Sequence, residues 1–353
     1  MSVAPAPSRR RAPEGSPQIL LEEALAPVRG SLDEVTARLL SQLAVPIARP
    51  VEYLITAGGK RLRPALVLLA GSAGHARHHQ ALIDTATAVE LIHTATLIHD
   101  DIIDQSPLRR AQPTFHHRWG TERAVLMGDY LYATAFTLLA HIEEPVVMHI
   151  IAQVCQELCR GELLEVDARY RLDLTEAEYL QIIHDKTASL IAGCCRSGAL
   201  LGGGSPQLVE RFAEFGLNFG MAFQIIDDCL DLTGQARQLG KATHEDLDKG
   251  ALSLPIIYLS RRLPAPRRER LFAPLTGMSP SAARWRRTGA RATDRAALAR
   301  IAKAAREAGA IEQAYDRARR FLDDAQRALA DTQLNGLAGA YQALAEYAIS
   351  RQR

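Results

Sequence analysis

The sequence predicts an all-α protein with a single domain. Apolar residues recur with the 3.6-residue period of a helix in nearly every long segment after Ser16, and no long run alternates with the period of two that marks a strand. Two acidic stretches with the same spacing each close a long apolar helical pattern, although they lie far apart in the chain. A repeated motif of this kind indicates one shared site, so we expect one helical domain rather than two.

The predicted helices follow one another with short breaks. The pattern begins over residues 19–47, where two prolines interrupt it. A loop with two glycines and three cations follows, and Pro64 suits the first turn of the next helix. Thr175 and Glu178 have the spacing of a capping box. Further helices are predicted over residues 64–73, 81–104, 122–142, 146–170, 175–201, 206–232, 295–308, 311–330 and 334–349.

Two segments lie outside this pattern. Residues 1–17 are rich in Pro, Ala and Arg, so we expect a disordered tail, with a transit peptide as the alternative. Residues 18–353 form the predicted domain, and within it residues 264–294 are rich in Arg, Pro and Ser. We interpret this segment, and residues 274–294 above all, as an irregular solvated insertion.

The bulk composition excludes several classes of protein. The formal net charge is only +2, which argues against a nucleic-acid partner. The five cysteines include no CxxC pair with a distant partner, so neither a zinc site nor a disulfide framework is predicted. No apolar run reaches the ~18 residues of a membrane span, and the N-terminus lacks an apolar signal core. We therefore expect a cytoplasmic protein with buried thiols.

The first acidic stretch ends the helical pattern of residues 81–104. Asp100, Asp101 and Asp104 stand at i, i+1 and i+4, and Arg109 and Arg110 follow. On a helix, Asp100 and Asp104 share one face, where their repulsion is costly unless cations are present. An acidic helix end on the surface is the simpler explanation, but the helix dipole disfavours carboxylates at a C-terminus. Acids, a metal ion and arginines together suggest a bound phosphate.

The second acidic stretch strengthens this interpretation. Asp227, Asp228 and Asp231 repeat the DDxxD spacing at the end of the pattern of residues 206–232. Clustered carboxylates with few histidines favour Mg2+ over zinc. His93 and His99 do not share a helical face, so neither is expected to bind a metal ion. For His93, a hydrogen bond to phosphate and a role as a core histidine remain equal alternatives.

The basic residues fall into two groups that could each hold an anion. The first group flanks the first acidic stretch and contains Lys60, Arg63 and Arg110. The second group would lie beside the metal ions and contains Arg109, Lys186 and Lys241. Taken alone, Lys186 has even odds of being a surface lysine. Two anion sites beside deep apolar helices imply two diphosphates with apolar tails.

Five motifs in a fixed order carry a resemblance to a known family. They are GGKRLRP at residues 58–64, HTATLIHDDIID at 93–104, GDYL at 128–131, KTA at 186–188 and FQIIDDCLD at 223–231, the last followed by GK at 240–241. Over residues 32–351 the chain resembles the trans-isoprenyl diphosphate synthases, also called polyprenyl synthetases. The resemblance implies an antiparallel bundle of helices around a central cavity, the isoprenoid synthase type I fold, and a homodimer.

The resemblance also implies roles for the motif residues. Several Mg2+ ions would be bound by Asp100, Asp104 and Asp227, with the waters of those ions held by Asp101, Asp228 and Asp231. These six aspartates and Lys186 form the expected catalytic set. The allylic diphosphate would contact Arg109, Lys186, Thr187, Gln224 and Lys241. Isopentenyl diphosphate would contact Gly59, Lys60, Arg63, His93 and Arg110.

The implied reaction is a head-to-tail condensation of isopentenyl diphosphate with an allylic diphosphate. Diphosphate leaves the allylic carbon, Mg2+ and basic residues stabilise the leaving charge, and the alkene of isopentenyl diphosphate attacks the carbocation. The expected products are all-trans polyprenyl diphosphates, which as lipids would be handed to a membrane.

The residues before the first acidic cluster bear on product length. Ala95 and Thr96 lie about one helical turn before Asp100, and Ile92 lies about two turns before it. The resemblance implies that short-chain enzymes carry bulky aromatic residues at the positions of Ala95 and Thr96. The small side chains here predict a product longer than geranylgeranyl, unless another helix supplies the block.

Four features depart from the family pattern. Ala111 replaces a frequent glycine after the two arginines, Glu165 replaces a frequent glutamine, and Ala251 replaces a frequent lysine. The insertion at residues 274–294 is also longer than usual. Of these, Ala251 removes a possible contact to phosphate, which we do not expect to abolish activity.

Three other functions share parts of this pattern. A shorter-chain geranylgeranyl or farnesyl diphosphate synthase would carry the same motifs. A terpene cyclase shares the first acidic motif but would not need GGKRLRP or a second DDxxD. A non-catalytic partner subunit would have lost an acidic cluster, and both are intact here. The sequence leaves open the product length, the preferred primer and the need for a second subunit.

Overall fold

The computed structural model describes residues 16–42, 53, 60–74, 78–233, 244–276 and 295–351. Gly59 and Lys241 lie outside these ranges, as do residues 1–15 of the predicted tail and residues 277–294 of the predicted insertion. The described residues are almost entirely helical, which confirms the predicted all-α class.

The helices of the first half bring the chain to the first acidic cluster and past it. In chain order they are α1 (Pro17–Leu25), α2 (Arg29–Gln42), α3 (Leu62–Ser72), α4 (His79–Ile103), α5 (Phe115–Trp119), α6 (Thr121–Ala140) and α7 (Pro145–Ala168). A short hairpin of β1 (Leu108–Arg109) and β2 (Gln112–Pro113) stands between α4 and α5.

The second half begins with the predicted capping box. Thr175 caps the next helix, and its side chain and that of Glu178 exchange hydrogen bonds with each other's backbone. The elements that follow are α8 (Glu176–Ile183), a π-helical turn (His184–Ala188), α9 (Ser189–Leu201), α10 (Pro206–Thr233), α11 (Glu245–Asp248), α12 (Leu254–Arg262), α13 (Ala265–Thr276), α14 (Arg295–Glu307), α15 (Ala310–Leu329) and α16 (Ala338–Ser350).

The two halves join through α9. Helix α4 packs against α3 and α6, helix α10 packs against α9 and α15, and α9 also packs against α3. The approach of α9 to α3 is close at Gly198, where a Cβ atom would lie 2.2 Å from the carbonyl oxygen of Val67. Any side chain at this position would push the two halves apart.

Helix α4 is apolar enough to meet a composition test for a membrane span. Its mean hydropathy is 1.3, and among the described residues no other helix passes the test. However, 67% of that stretch is buried inside the protein. A helix at the centre of a folded core has the same composition, and α4 has that position here.

The hairpin departs from the purely helical prediction. Leu108 pairs with Pro113 and Arg109 with Gln112, while the two turn residues Arg110 and Ala111 have positive φ angles of 52° and 61°. Such turns normally select Asn or Gly. Because the turn contains neither, the residue pattern gave no hairpin signal.

Helix α13 also differs from the prediction, which treated residues 264–294 as irregular. Phe272 and Leu275 are fully buried and stand three residues apart on one face. Proline, arginine and glutamate occupy most of the other positions. Only a few apolar residues therefore mark the helical period of α13, and the sequence pattern did not predict this helix.

Replacing Ala111 with glycine should stabilise the protein. An L-residue in the left-handed conformation costs about 1–2 kcal/mol, and glycine avoids this cost. Part of the gain is lost because glycine has more conformational freedom in the unfolded chain. We expect the free energy of unfolding in urea to rise by about 1 kcal/mol or less. The control Ala133→Gly, at an exposed position of α6, should instead cost about 1 kcal/mol. A less stable Ala111→Gly protein would contradict the left-handed turn.

Candidate active site

The π-helical turn interrupts what the sequence predicted as one continuous helix. Asp185 in this turn is fully buried, and its carboxylate accepts hydrogen bonds from Arg160 Nε and Nη2 at 2.7 and 2.8 Å and from Gln181 and His184. Burial acts to raise the pKa of Asp185, but these hydrogen bonds outweigh it and the pKa is lowered. The anchored carboxylate fixes an irregular turn of the kind often found at functional sites.

Lys186 follows Asp185 and lies among carboxylates rather than on the surface. Its Nζ is 2.8 Å from Glu162 Oε1 and 2.5 Å from Glu165 Oε2. Burial would lower the pKa of Lys186, but the attraction of Glu165, Glu162 and Asp100 raises it. Lys186 is therefore a firmly charged ammonium group beside the first acidic cluster.

The first acidic cluster combines three carboxylates with three different surroundings. Burial raises the pKa of Asp100 to about 8, against the attraction of Lys186. Asp101 is buried and accepts from Arg109 Nε and Nη2 at 2.9 and 2.8 Å. Asp104 accepts from Arg169 Nη2 at 2.6 Å and lies 3.1 Å from Lys249 Nζ.

A chain of hydrogen bonds connects the π turn to the second acidic cluster. Thr187 Oγ1 donates to Gln224 Oε1 at 2.8 Å, and Gln224 Nε2 donates to Asp228 Oδ1 at 2.7 Å. The hydroxyl of Tyr179 donates to the other oxygen of Asp228 at 2.6 Å. Since Lys186 interacts with Asp100 and Thr187 leads to Asp228, the π turn brings the two distant clusters to one site.

The other two carboxylates of the second cluster lie on either side of this chain. Asp227 pairs with Arg351, whose guanidinium group lies 4.5 Å from the centre of the Phe223 ring. Asp231 Oδ1 accepts from the backbone of Glu245 at 3.2 Å, while its buried Oδ2 atom has no hydrogen-bond partner among the described residues. Burial, followed by the charge of Asp246, raises the pKa of Asp231 to about 8.

Arg63 and Arg110 of the first group of basic residues lie near His93. Arg63 Nη1 donates to His93 Nε2 at 3.0 Å. Burial first, and then the nearby charges of Arg63, Arg109 and Arg110, lower the pKa of His93 well below its usual value. His93 is therefore a neutral acceptor that orients the guanidinium group of Arg63. Lys60 donates to the hydroxyl of Tyr347 at 2.6 Å.

The proposed chain-length residues lie on α4 before the acidic cluster. Ile92 and Ala95 are fully buried. Thr96 is half-buried, and its hydroxyl donates to the carbonyl oxygen of His93 at 2.8 Å. Their effect on product length stays a prediction.

Several site residues were missed by sequence reasoning. Glu162 and Tyr179 lie on predicted helices, but helical period alone does not show that they face the site. The others lie in loops, in a short helix or at a helix end: Arg169, Asp246, Lys249 and Arg351. For Lys249, the sequence offered one clue, because it stands two residues before the missing lysine at Ala251. For Arg169 and Arg351 we find no sequence signal.

The expected metal ligands have suitable chemistry but are not converged on one point. Among the residues that the structure describes, no group of three or more His, Cys, Asp or Glu side chains is arranged to hold a metal ion. Asp100, Asp104 and Asp227 offer only carboxylate oxygens, which Mg2+ prefers. In the second cluster, the Oδ2 atom of Asp231 has no partner within the part of the chain that the structure describes. Asp104 and Asp227 would have to exchange their basic partners for the ion.

A small cavity lies between the π turn and the segment after α11. Its volume is about 120 Å³, and its wall includes Lys186, Thr187, Gln224, Asp228 and Ala251. Polar groups of the site thus line an internal space beside Ala251, the position at which the family pattern frequently has a lysine. Two acidic helix ends with basic side chains beside them, in a helical core, are the arrangement expected of a class of helical enzymes that act on diphosphates.

The chain belongs to the polyprenyl synthetase family, whose model matches residues 45–281, and this confirms the predicted enzyme class, a trans-polyprenyl diphosphate synthase. It is 36% identical over 317 residues to heptaprenyl diphosphate synthase component 2 of Geobacillus stearothermophilus, covering 90% of this chain and 93% of that protein.

Solved structures agree with the predicted fold. The crystal structure of a polyprenyl synthase from Caulobacter crescentus CB15, complexed with calcium and isoprenyl diphosphate, matches with a TM-score of 0.85 and 32% identity over 94% of this chain and 98% of that one. A decaprenyl diphosphate synthase from Rhodobacter capsulatus matches with a TM-score of 0.79 and 31% identity, over 94% and 99% of the two chains. The isoprenoid synthase fold is thereby confirmed.

Neutral His93 predicts a particular pH dependence of stability. The pKa is lowered in the folded protein, so below the ordinary value of 6.5 the unfolded chain binds a proton that the folded chain does not. The contribution of His93 to stability should therefore fall as the pH drops from about 7.5 to 5.5, by at most about 1.4 kcal/mol per pH unit. The raised pKa values of Asp100 and Asp231 act in the opposite direction.

His93→Gln should remove this contribution, so the stability of the variant relative to wild type should increase as the pH drops through this range. Urea unfolding of both proteins at several pH values is the measurement. His117→Gln, which changes an exposed histidine, controls for the loss of a histidine as such. Equal pH slopes for wild type and His93→Gln would show that His93 is not held neutral.

Proposed function

We propose that this enzyme condenses isopentenyl diphosphate with allylic diphosphates in a Mg2+-dependent, head-to-tail reaction that yields long all-trans chains. The observation that carries the proposal is the link between the two acidic clusters. Lys186 interacts with Asp100 of one cluster, and Thr187 leads through Gln224 to Asp228 of the other. This arrangement supports one diphosphate-binding site, with a second around Arg63 and His93.

Each of the two groups of basic residues would bind one of the two substrates. Lys186 and Arg109 lie beside the first acidic cluster and would hold the allylic diphosphate. Arg63, oriented by neutral His93, and Lys60 would hold isopentenyl diphosphate. Each group would neutralise charge on its diphosphate and align the reacting carbons. The apolar core around α4 would keep water from the carbocation.

Mg2+ would be held by Asp100, Asp104 and Asp227. When bound, it would supply positive charge to the leaving diphosphate, which lowers the barrier to ionisation. Asp228 is held in place by Tyr179 and Gln224 and would orient waters of the ion rather than bind it.

We propose a product longer than geranylgeranyl, on the basis of Ala95 and Thr96. Relatives with 43% and 39% identity are named solanesyl diphosphate synthase and all-trans-nonaprenyl diphosphate synthase, both long-chain enzymes. A relative with 42% identity is named geranylgeranyl diphosphate synthase, which keeps a shorter product as the second candidate.

We further propose a cytoplasmic homodimer that hands its product to a membrane. Large apolar side chains are exposed on α6 and α7, among them Leu126 and Leu163, both 67% exposed. A second copy covering these helices would bury them. One relative is named as a component of a synthase. The sedimentation of the purified chain should therefore be compared with the sedimentation of the same chain in an extract of the cell it comes from.

One incubation tests the reaction. Purified protein with Mg2+, isopentenyl diphosphate and geranyl, farnesyl or geranylgeranyl diphosphate should yield products longer by multiples of one isoprene unit, read by mass spectrometry. A cyclic hydrocarbon product would favour a terpene cyclase. No product with any primer would contradict a self-sufficient synthase.

The two groups of basic residues should separate in kinetics. Lys60→Ala or Arg63→Ala should raise the KM for isopentenyl diphosphate more than that for the allylic substrate, whereas Lys186→Ala should do the reverse. Each removed contact to a charged group is worth roughly 1.5–3 kcal/mol. The exposed Lys303→Ala is the control. Equal effects on both substrates in all three variants would refute the division.

Product length should depend on the size of the side chains on α4 before Asp100. Ala95→Phe or Thr96→Phe should shorten the product without stopping the first condensation, because the aromatic ring would block growth along the helix. The products formed from farnesyl diphosphate are compared by mass spectrometry, with Ala299→Phe at an exposed position of α14 as the control. A wild-type product that stops at geranylgeranyl, or unchanged lengths in both variants, would contradict the prediction.

A further inference from the structure

Asp104 of the first acidic cluster is shared by two basic side chains from different loops. Arg169 Nη2 lies 2.6 Å from Asp104 Oδ1, and Lys249 Nζ lies 3.1 Å from Asp104 Oδ2. All three side chains are largely covered, with exposed fractions of 18% for Asp104, 18% for Arg169 and 26% for Lys249. The two cations therefore face the active site rather than solvent.

The two loops are fastened to each other. The backbone of Tyr170, next to Arg169, donates to the carbonyl oxygen of Gly250, next to Lys249, at 2.8 Å. The Tyr170 hydroxyl donates to the carbonyl oxygen of Asp248 at 3.3 Å. Gly250 has a positive φ of 81°, and a Cβ atom there would lie 2.5 Å from the Tyr170 ring. These contacts fix Arg169 and Lys249 as a pair.

Asp104 cannot serve both basic groups and a divalent cation at full strength. A cation that binds Asp104 would compete with Arg169 and Lys249 for its oxygens and would repel both basic groups. A lysine that is displaced from Asp104 and stays covered needs another anion as its partner.

We infer that Lys249 is a further diphosphate-binding residue of this enzyme, which Asp104 holds near the site and which moves to a diphosphate oxygen when Asp104 binds a divalent cation. Arg169 is a positioning residue that keeps Asp104 in place. The inference rests on the proposed function, because it takes the diphosphate of that reaction as the ligand.

The chain itself favours Lys249 for this role. Ala251, two residues later, lines the cavity beside Lys186 and Asp228 and offers no charge there. Lys249 supplies a cation from the same loop. Its long flexible side chain can leave Asp104 without a change in the backbone, whereas the planar fork of Arg169 suits a fixed pairing.

Calorimetry with inorganic pyrophosphate tests the inference apart from turnover. The full-length protein is titrated with Mg2+ alone, and then with pyrophosphate in excess Mg2+, as wild type, Lys249→Gln, Lys249→Arg and the exposed control Lys303→Gln. Lys249→Gln should weaken pyrophosphate binding roughly 10- to 100-fold. It should also tighten Mg2+ binding, roughly two- to fivefold, because a competitor for Asp104 is removed.

The other variants define the role further. Lys249→Arg should restore most of the pyrophosphate affinity, and Lys303→Gln should match wild type. Adding Ala251→Lys to Lys249→Gln should recover part of the lost affinity, because it returns a cation to the same loop. Thermal unfolding of each variant checks that the fold is kept.

Two results would overturn the inference. Unchanged pyrophosphate affinity in folded Lys249→Gln would make the lysine a structural partner of Asp104 only. Weaker Mg2+ binding in that variant would mean that Lys249 helps Asp104 bind the ion rather than competing with it. Condensation by the wild type is measured in parallel, so a failure of the proposed function is seen separately from a failure at Lys249.

Discussion

The structure depends on the compensation of buried negative charge. Two aspartate clusters at the ends of α4 and α10 and two glutamates of α7 are buried or partly buried, where an uncompensated carboxylate is costly. Each carboxylate finds a different solution: Arg109 pairs with Asp101, Lys186 with Glu162 and Glu165, and hydrogen bonds hold Asp228. Burial raises the pKa of Asp100 and Asp231 to about 8 and that of Asp228 well above its usual value, so these carboxylates are the least compensated of the site.

The π turn is the element through which this compensation becomes a site. Buried Asp185, held by Arg160, anchors the turn, and the next two residues serve the two clusters. In a regular helix the side chains of Lys186 and Thr187 would point in other directions, because a π turn contains more residues per turn than an α-helix. Stability of the core and arrangement of the catalytic groups therefore depend on the same few contacts.

The sequence predicted most of the helices and both acidic clusters because these features leave periodic or repeated patterns. It predicted the capping box at Thr175 for the same reason. The π turn, the hairpin turn at Ala111 and helix α13 were missed, since each follows from tertiary contacts. Arg169 and Lys249 were missed because their pairing with Asp104 depends on how two loops pack, although the position of Lys249 two residues before Ala251 was a clue.

The central claim is that the two acidic clusters act as one site, and a double-mutant cycle tests it most directly. Asp100→Ala and Asp227→Ala are measured singly and together for turnover with excess Mg2+, with circular dichroism to confirm folding. If both clusters serve one diphosphate, each single change should cost roughly 1,000-fold and the pair little more, because groups that act as a unit are not additive. Near-normal turnover in a folded single variant, or fully additive losses in the double variant, would contradict the account.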